Sequence, residues 1–182
     1  MTKRILHVVT NVAHYADPTQ PTGLWLSELT HAYEIFAARG YQQRLVSPRG
    51  GESPLEPRAL GWPHADASAK AWLVDEARLA LLADTAAPEQ VDAEAFDAIY
   101  FTGGHGVMWD FPDDAGLQRL TREIYQRGGI VSSVCHAIAA CSTHAWTMAA
   151  CWSPGAASPA TPGSRKCSPG SPARCRTTSR KK

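Results

Sequence analysis

Apolar residues along the first 140 positions fall in short blocks that switch between two periods. Arg4 to Thr10 (RILHVVT) is a β-rich apolar run with the length of a buried strand. A polar stretch with two prolines follows, and then Leu24, Leu29, Ala32, Tyr33 and Phe36 recur at helical spacing, with Gly40 as the stop. Gln43 to Ser47 (QRLVS) returns to strand character. Strand, helix and strand at this spacing predict a βαβ unit, and so a parallel sheet with helices on its faces. Residues 48–68 are rich in Pro and Gly and predict an excursion from the sheet. Lys70 to Ala83 predicts a helix, Val91 to Ala95 a shorter one, and Asp97 to Thr102 (DAIYFT) a third strand ending at Gly103-Gly104-His105-Gly106. Pro112 to Arg127 carries Leu117, Leu120, Ile124 and Tyr125 in a helical stripe closed by Gly128-Gly129. Ile130 to Val134 (IVSSV) predicts the next strand, and Cys135-His136-Ala137 follows at once, opening a helix of small residues.

Past residue 140 the pattern stops. The last Leu is Leu120, the last Val is Val134 and the last Ile is Ile138. Residues 151–182 hold six Ser, five Pro and no branched aliphatic side chain, too little apolar area to offset the entropy of ordering them. Two parts are expected: an α/β domain over residues 1–145 and a disordered, basic, Ser/Pro-rich tail over 146–182. A parallel sheet should not stop one helix after Cys135, and the tail reads as a shifted frame. Back-translated and read two bases later, Trp146-Thr147 forces Asp, Met148-Ala149 forces Gly and Cys151-Trp152 forces Leu. The shifted text permits a strand–turn–strand pattern of the kind a folded domain continues with.

Composition changes this picture in one respect. The 182 residues suit one domain, and their net charge of +1 conceals an asymmetry. The tail carries seven Lys/Arg and no acid, which leaves eleven basic against seventeen acidic residues in 1–150, a net −6. An acidic body argues against nucleic acid as the partner. No apolar run reaches membrane-spanning length, and the N-terminus lacks a secretory pattern. The five cysteines (135, 141, 151, 167 and 175) form no CxxC pair and fall in the last 48 positions, so a cytoplasmic location is expected. Without an HExxH, a P-loop or paired CxxC, no metal and no cofactor is expected.

The chemistry concentrates at Cys135. A cysteine directly after a buried strand stands at the carboxyl edge of the sheet, where open α/β folds keep their ligands. A helix N-terminus there would favour thiolate, and the next N–H would be free for an oxyanion. Against this stands the ordinary buried cysteine. Gly103-Gly104-His105-Gly106 ends the adjacent strand and would let backbone N–H groups approach a substrate, or would simply make a tight turn. Glu28, one position before Leu29 of the apolar stripe, can accept the thiol proton or be a surface acid. His136 is a candidate base. His7, mid-strand, reads as core, while His31 and Trp25 either line a pocket or pack.

These residues together resemble the ThiJ/PfpI superfamily, the class I glutamine-amidotransferase-like fold, closest to its glyoxalase III and heat-shock chaperone branch. The matching stretches are PTGLWLSELTHAYEIFAARGY, LVSPRGG with PLEPRAL, DAIYFTGGHGVMWDFPDD and LTREIYQRGGIVSSVCHA, in the family's order over residues 4–140. The resemblance implies a flavodoxin-like three-layer sandwich, with its C-terminal elements missing or replaced by the tail. It implies Cys135 as nucleophile, His136 as its neighbouring histidine and Glu28 as the acid on the thiol. Gly104 would lend an oxyanion N–H, and Gly103 and His105 would flank the substrate. The family usually continues Cys-His-Gly-Pro, where this chain has Ala137 and Ile138, and its text after that turn matches the shifted frame. Implied too are a cofactor-independent glyoxalase or deglycase activity on a small reactive aldehyde, and a homodimer when full-length. A chaperone that holds stressed clients, and an amidotransferase-like or peptidase hydrolase, are the alternatives.

Overall fold

A computed structural model describes residues 2–141 of the chain. Four parallel strands form one sheet: β1 (Arg4–Val8), β2 (Gln42–Val46), β3 (Ala98–Phe101) and β4 (Ile130–Ser133), in the spatial order β2-β1-β3-β4. Five helices accompany them: α1 (Leu26–Ala38), α2 (Ala67–Leu73), α3 (Glu76–Ala83), α4 (Val107–Asp110) and α5 (Ala115–Gln126). The expected tail, the shifted frame and the expected closing elements lie outside the described residues.

Alternation along β1 builds a core on each side of the sheet, because successive side chains of a strand point to opposite faces. Leu6 and Val8 face one way and join Ile99, Phe101, Phe111, Leu117, Leu120 and Ile124, so α4 and α5 cover that side. Val9 joins Leu26, Leu29, Leu45, Trp72 and Leu82 on the other, under α1, α2 and α3. Helices, sheet and helices make the three-layer α/β sandwich that the pattern and the resemblance predict. His7 is buried as expected, among the rings of Tyr33, Phe36 and Tyr100, with Nε2 on Gln43 Oε1 at 2.7 Å. Burial pushes its pKa down to about 4, so it is neutral near pH 7.

Four elements differ from the pattern. The single helix expected over 70–83 is two, because Asp75 turns its carboxylate to the N–H of Arg78 and caps a new start; a side-chain oxygen satisfying a free N–H is what begins a helix. Val91–Ala95 holds only the 3-10 turn Ala93–Ala95, and the residues after the fourth strand form a 3-10 helix, Cys135–Cys141. The short α4 went unpredicted, since four residues carry no periodicity. Among the described residues, no helix is long and apolar enough to cross a membrane.

Candidate active site

Cys135 leaves β4 with φ at 56°, a left-handed conformation that side chains other than glycine rarely adopt. Such a turn swings the thiol out of line with the strand and leaves it exposed at the carboxyl edge of the sheet. The bends flanking it are pinned. Val134 donates its N–H to Phe101 O at 3.1 Å, and Ala137 donates to Val134 O at 3.1 Å.

From the end of β3, Gly103 and Gly104 come up beneath the sulfur. A methyl group on Gly103 would fall on Glu28 Oε2 and lie 2.7 Å from Cys135 Cβ. The carboxylate and the cysteine therefore meet over a residue that has no side chain. Gly104 has φ at 116° and packs its backbone on Gly23 and Trp25, where a Cβ would again collide. Trp25 in turn donates its N–H to Gly103 O at 3.1 Å, fixing the start of α1, and so Glu28, to the end of β3.

The electrostatics differ from the expected thiolate. Glu28 is half-buried, with Oε2 sealed from solvent and without a completed hydrogen bond. Burial raises its pKa, against a smaller downward pull from the thiol, the Gly103 amide and His136. Cys135 is raised too, first by burial and then by the charge and hydrogen bond of Glu28, while the amides of His136 and Gly104 pull it down. The helix that Cys135 opens is a 3-10 helix of seven residues rather than a longer α-helix. The pair is not symmetric: the thiol's hydrogen bond favours the Glu28 carboxylate, whereas that carboxylate disfavours a thiolate, so the pair favours the proton on sulfur. The two amides that act on the sulfur are the pair expected to face an oxyanion.

His136 places Nδ1 3.1 Å from Cys135 Sγ, and its ring meets that of His105 edge-on with centroids 4.6 Å apart. Glu28, Gly103, Gly104, His105, Cys135 and His136 thus lie in one cluster, drawn from α1, the β3 turn and the β4 turn. His31 lies apart from it. It pairs with Asp66, whose other oxygen accepts from Ala69 N at the start of α2. Trp25 sets its ring edge-on to His64, centroids 5.2 Å apart.

Three residues here escaped the sequence reading. Tyr15 Oη lies 2.6 Å from His105 Nδ1, Arg58 reaches both, and the buried Glu56 holds Arg58 at 2.7 Å. Tyr15 sits in a loop and Glu56 caps the three-residue 3-10 turn Pro57–Ala59 that carries Arg58; Glu56-x-Arg58 inside PLEPRAL was their only trace in the sequence. On the far edge of the sheet, a cavity of about 350 Å³ between β2 and α3 is lined by Arg44, Leu81, Asp84 and Gln90. It touches none of the cluster.

No family model matches the chain. It is 31% identical over 141 residues to a glutathione-independent glyoxalase of Saccharomyces cerevisiae, HSP31, covering 74% of this chain and 57% of that protein. Among solved structures, the 24 kDa rapid encystment protein of Francisella tularensis superposes with a TM-score of 0.71 at 34% identity, over 76% of this chain and 61% of that one. Glyoxalase III of Candida albicans gives 0.67 at 25% identity, over 76% and 59%. A ThiJ/PfpI domain protein of Brachyspira murdochii, at 21% identity and 0.52 over 76% and 62%, shares the fold. The chain spans a little over half the length of the curated relative described here.

Proposed function

Because this chain belongs to the ThiJ/PfpI superfamily, on the side of its glutathione-independent glyoxalases, we propose that it is a cofactor-independent glyoxalase with Cys135 as nucleophile. The observation that carries this is the meeting of Glu28 and Cys135 over Gly103, with the amides of Gly104 and His136 on the sulfur. Sulfur, freed of its proton, adds to the aldehyde carbon of a 2-oxoaldehyde such as methylglyoxal; a C–S bond forms and the carbonyl electrons move onto oxygen. The two amides face that oxyanion, and the thiol's proton, passed through Glu28, neutralises it to a hemithioacetal. His136 or Glu28 then takes the C1 proton, giving an enediol, and a proton is returned to C2. The product is a thioester of lactate, which water cleaves to lactate and free thiol. Deglycation of adducts on amines uses the same hemithioacetal step.

Extending the reading, residues 1–145 form the catalytic α/β domain and residues 146–182 an out-of-frame tail. The full-length protein is a homodimer acting on small reactive aldehydes in the cytoplasm. The test is lactate release from methylglyoxal by the full chain. Cys135→Ser should lower it by a factor of about 10³ or more, as removal of a covalent nucleophile does. A Cys135→Ser variant that keeps its activity would exclude the mechanism.

A further inference from the structure

We propose that Arg58 and Tyr15 are positioning residues that fix His105 with its ring proton on Nε2, which makes it a hydrogen-bond donor beside the thiol. What that donor does rests on the glyoxalase reading; how it is fixed does not. Glu56 is 1% exposed and accepts from Thr22 Oγ1 at 2.9 Å, so its carboxylate cannot turn away. Arg58 lies on it in a two-pronged pair, Nε to Oε1 at 2.7 Å and Nη2 to Oε2 at 2.8 Å. The same Nη2 extends to Tyr15 Oη at 2.7 Å and to His105 Nδ1 at 3.1 Å.

Donor and acceptor roles follow from chemistry. A guanidinium has only donors; Nη2 directs its two hydrogens to Glu56 and Tyr15, and Nδ1, 3.1 Å from that donor-only nitrogen, is better placed with a lone pair than with an N–H facing it. Accepting from Arg58, the Tyr15 hydroxyl is left to donate its own proton to Nδ1, 2.6 Å away. Nδ1 then bears no hydrogen, and a neutral imidazole keeps its one proton on Nε2. A second proton would have to sit on Nδ1, against the Tyr15 hydroxyl and next to a fixed cation. Partial burial, His136 and Arg58 push His105 below its usual pKa, against a smaller upward pull from the Glu56 carboxylate. Among the described residues Nε2 has no hydrogen-bond partner. Its ring stands edge-on to His136, whose Nδ1 is 3.1 Å from the sulfur. A 2-oxoaldehyde carries a second carbonyl next to the one that sulfur attacks. The backbone amides face the first oxygen; the Nε2–H of His105 supplies a donor for the second.

Nitrogen-15 correlation spectra of the histidine-labelled full chain read the tautomer directly. The wild type should show His105 in the single Nε2–H form from pH 6 to 8. Arg58→Leu should show exchange between tautomers and an imidazolium fraction at pH 6. Tyr15→Phe, which removes one hydroxyl, should move the spectrum the same way even if Arg58→Leu does not fold. In turnover, Arg58→Leu should raise the KM for methylglyoxal at least threefold while kcat stays within twofold. His105→Gln, whose side-chain amide nitrogen can stand where Nε2 does, should keep a near-normal KM, and His105→Phe should not. An Nδ1–H or mixed tautomer in the wild type, or a spectrum unmoved by both variants, overturns the proposal. An Nε2–H signature in a protein that makes no lactate sinks the glyoxalase reading instead.

Discussion

At Cys135 one backbone torsion and one missing side chain do most of the work. A φ of 56° costs on the order of 1 kcal/mol or more for a cysteine and persists only where the surroundings enforce it. Here the enforcement is the ladder from Phe101 to Val134 and the close pass of Gly103. The thiol thus gains its position at some cost in stability, and partial desolvation of the sulfur together with the Glu28 carboxylate raises its pKa. Glu28→Gln removes the negative charge while keeping the shape, so the thiol should ionise more easily. Iodoacetamide should alkylate Cys135 in Glu28→Gln several-fold faster at pH 7 than in the wild type, with the rate profile displaced to lower pH. A profile that stays in place, or moves upward, would mean that the carboxylate does not face the sulfur. Turnover should nonetheless fall, because an amide cannot take or return a proton.

At the scale of elements, what was legible in the sequence was what repeats. The four strands and the stripes of α1 and α5 stood out because burial on a sheet face or helix face imposes a period. Cys135, His136 and Gly103-Gly104 were legible as a turn that follows a strand. Tyr15 and Arg58 were not, because a loop residue reaching across 43 or 90 positions leaves no local period. Nor was the division of residues 67–83, where apolar side chains continue through the break and a capping aspartate decides it. Asp66 does for α2 what Asp75 does for α3, and it also fastens α1 through His31. Asp66→Ala should lower stability by about 1 kcal/mol, the usual cost of an N-cap. His31→Ala should cost less than that, since the pair is exposed to solvent. Urea unfolding of the two variants checks the order. Unchanged lactate release from both would place His31 outside the site, and a tenfold loss from His31→Ala would place it inside.

For the molecule as a whole, two buried groups titrate against each other. His7 has its pKa driven from 6.5 to about 4, because burial penalises the imidazolium more than the Gln43 hydrogen bond rewards it. Its folded value is depressed, so the stability it contributes is complete above pH 6.5 and is lost as pH falls through 4. Asp110 goes the other way. Burial raises it from 3.8 to about 6, although Thr10 Oγ1 and Asn11 N each donate to Oδ2 at 2.8 Å; Oδ1 is buried and unpartnered. Its folded value is elevated, so its contribution is complete below pH 3.8 and is lost as pH rises through 6. Each displacement corresponds to roughly 3 kcal/mol, at 1.4 kcal/mol per tenfold change in proton affinity. The windows overlap between pH 4 and 6, where acidification weakens the fold at β1 and strengthens the tie between the segment after β1 and α4. Their sum should therefore be nearly flat in the wild type, and single variants should expose each slope. His7→Gln removes the acid-sensitive group, so its stability relative to the wild type should improve by roughly 3 kcal/mol between pH 7 and 4. Asp110→Asn should deteriorate relative to the wild type by a similar amount over the same range. Urea midpoints at pH 4, 5, 6 and 7 measure both differences. Curves that run parallel to the wild type would show that neither group is shielded from water as its packing implies.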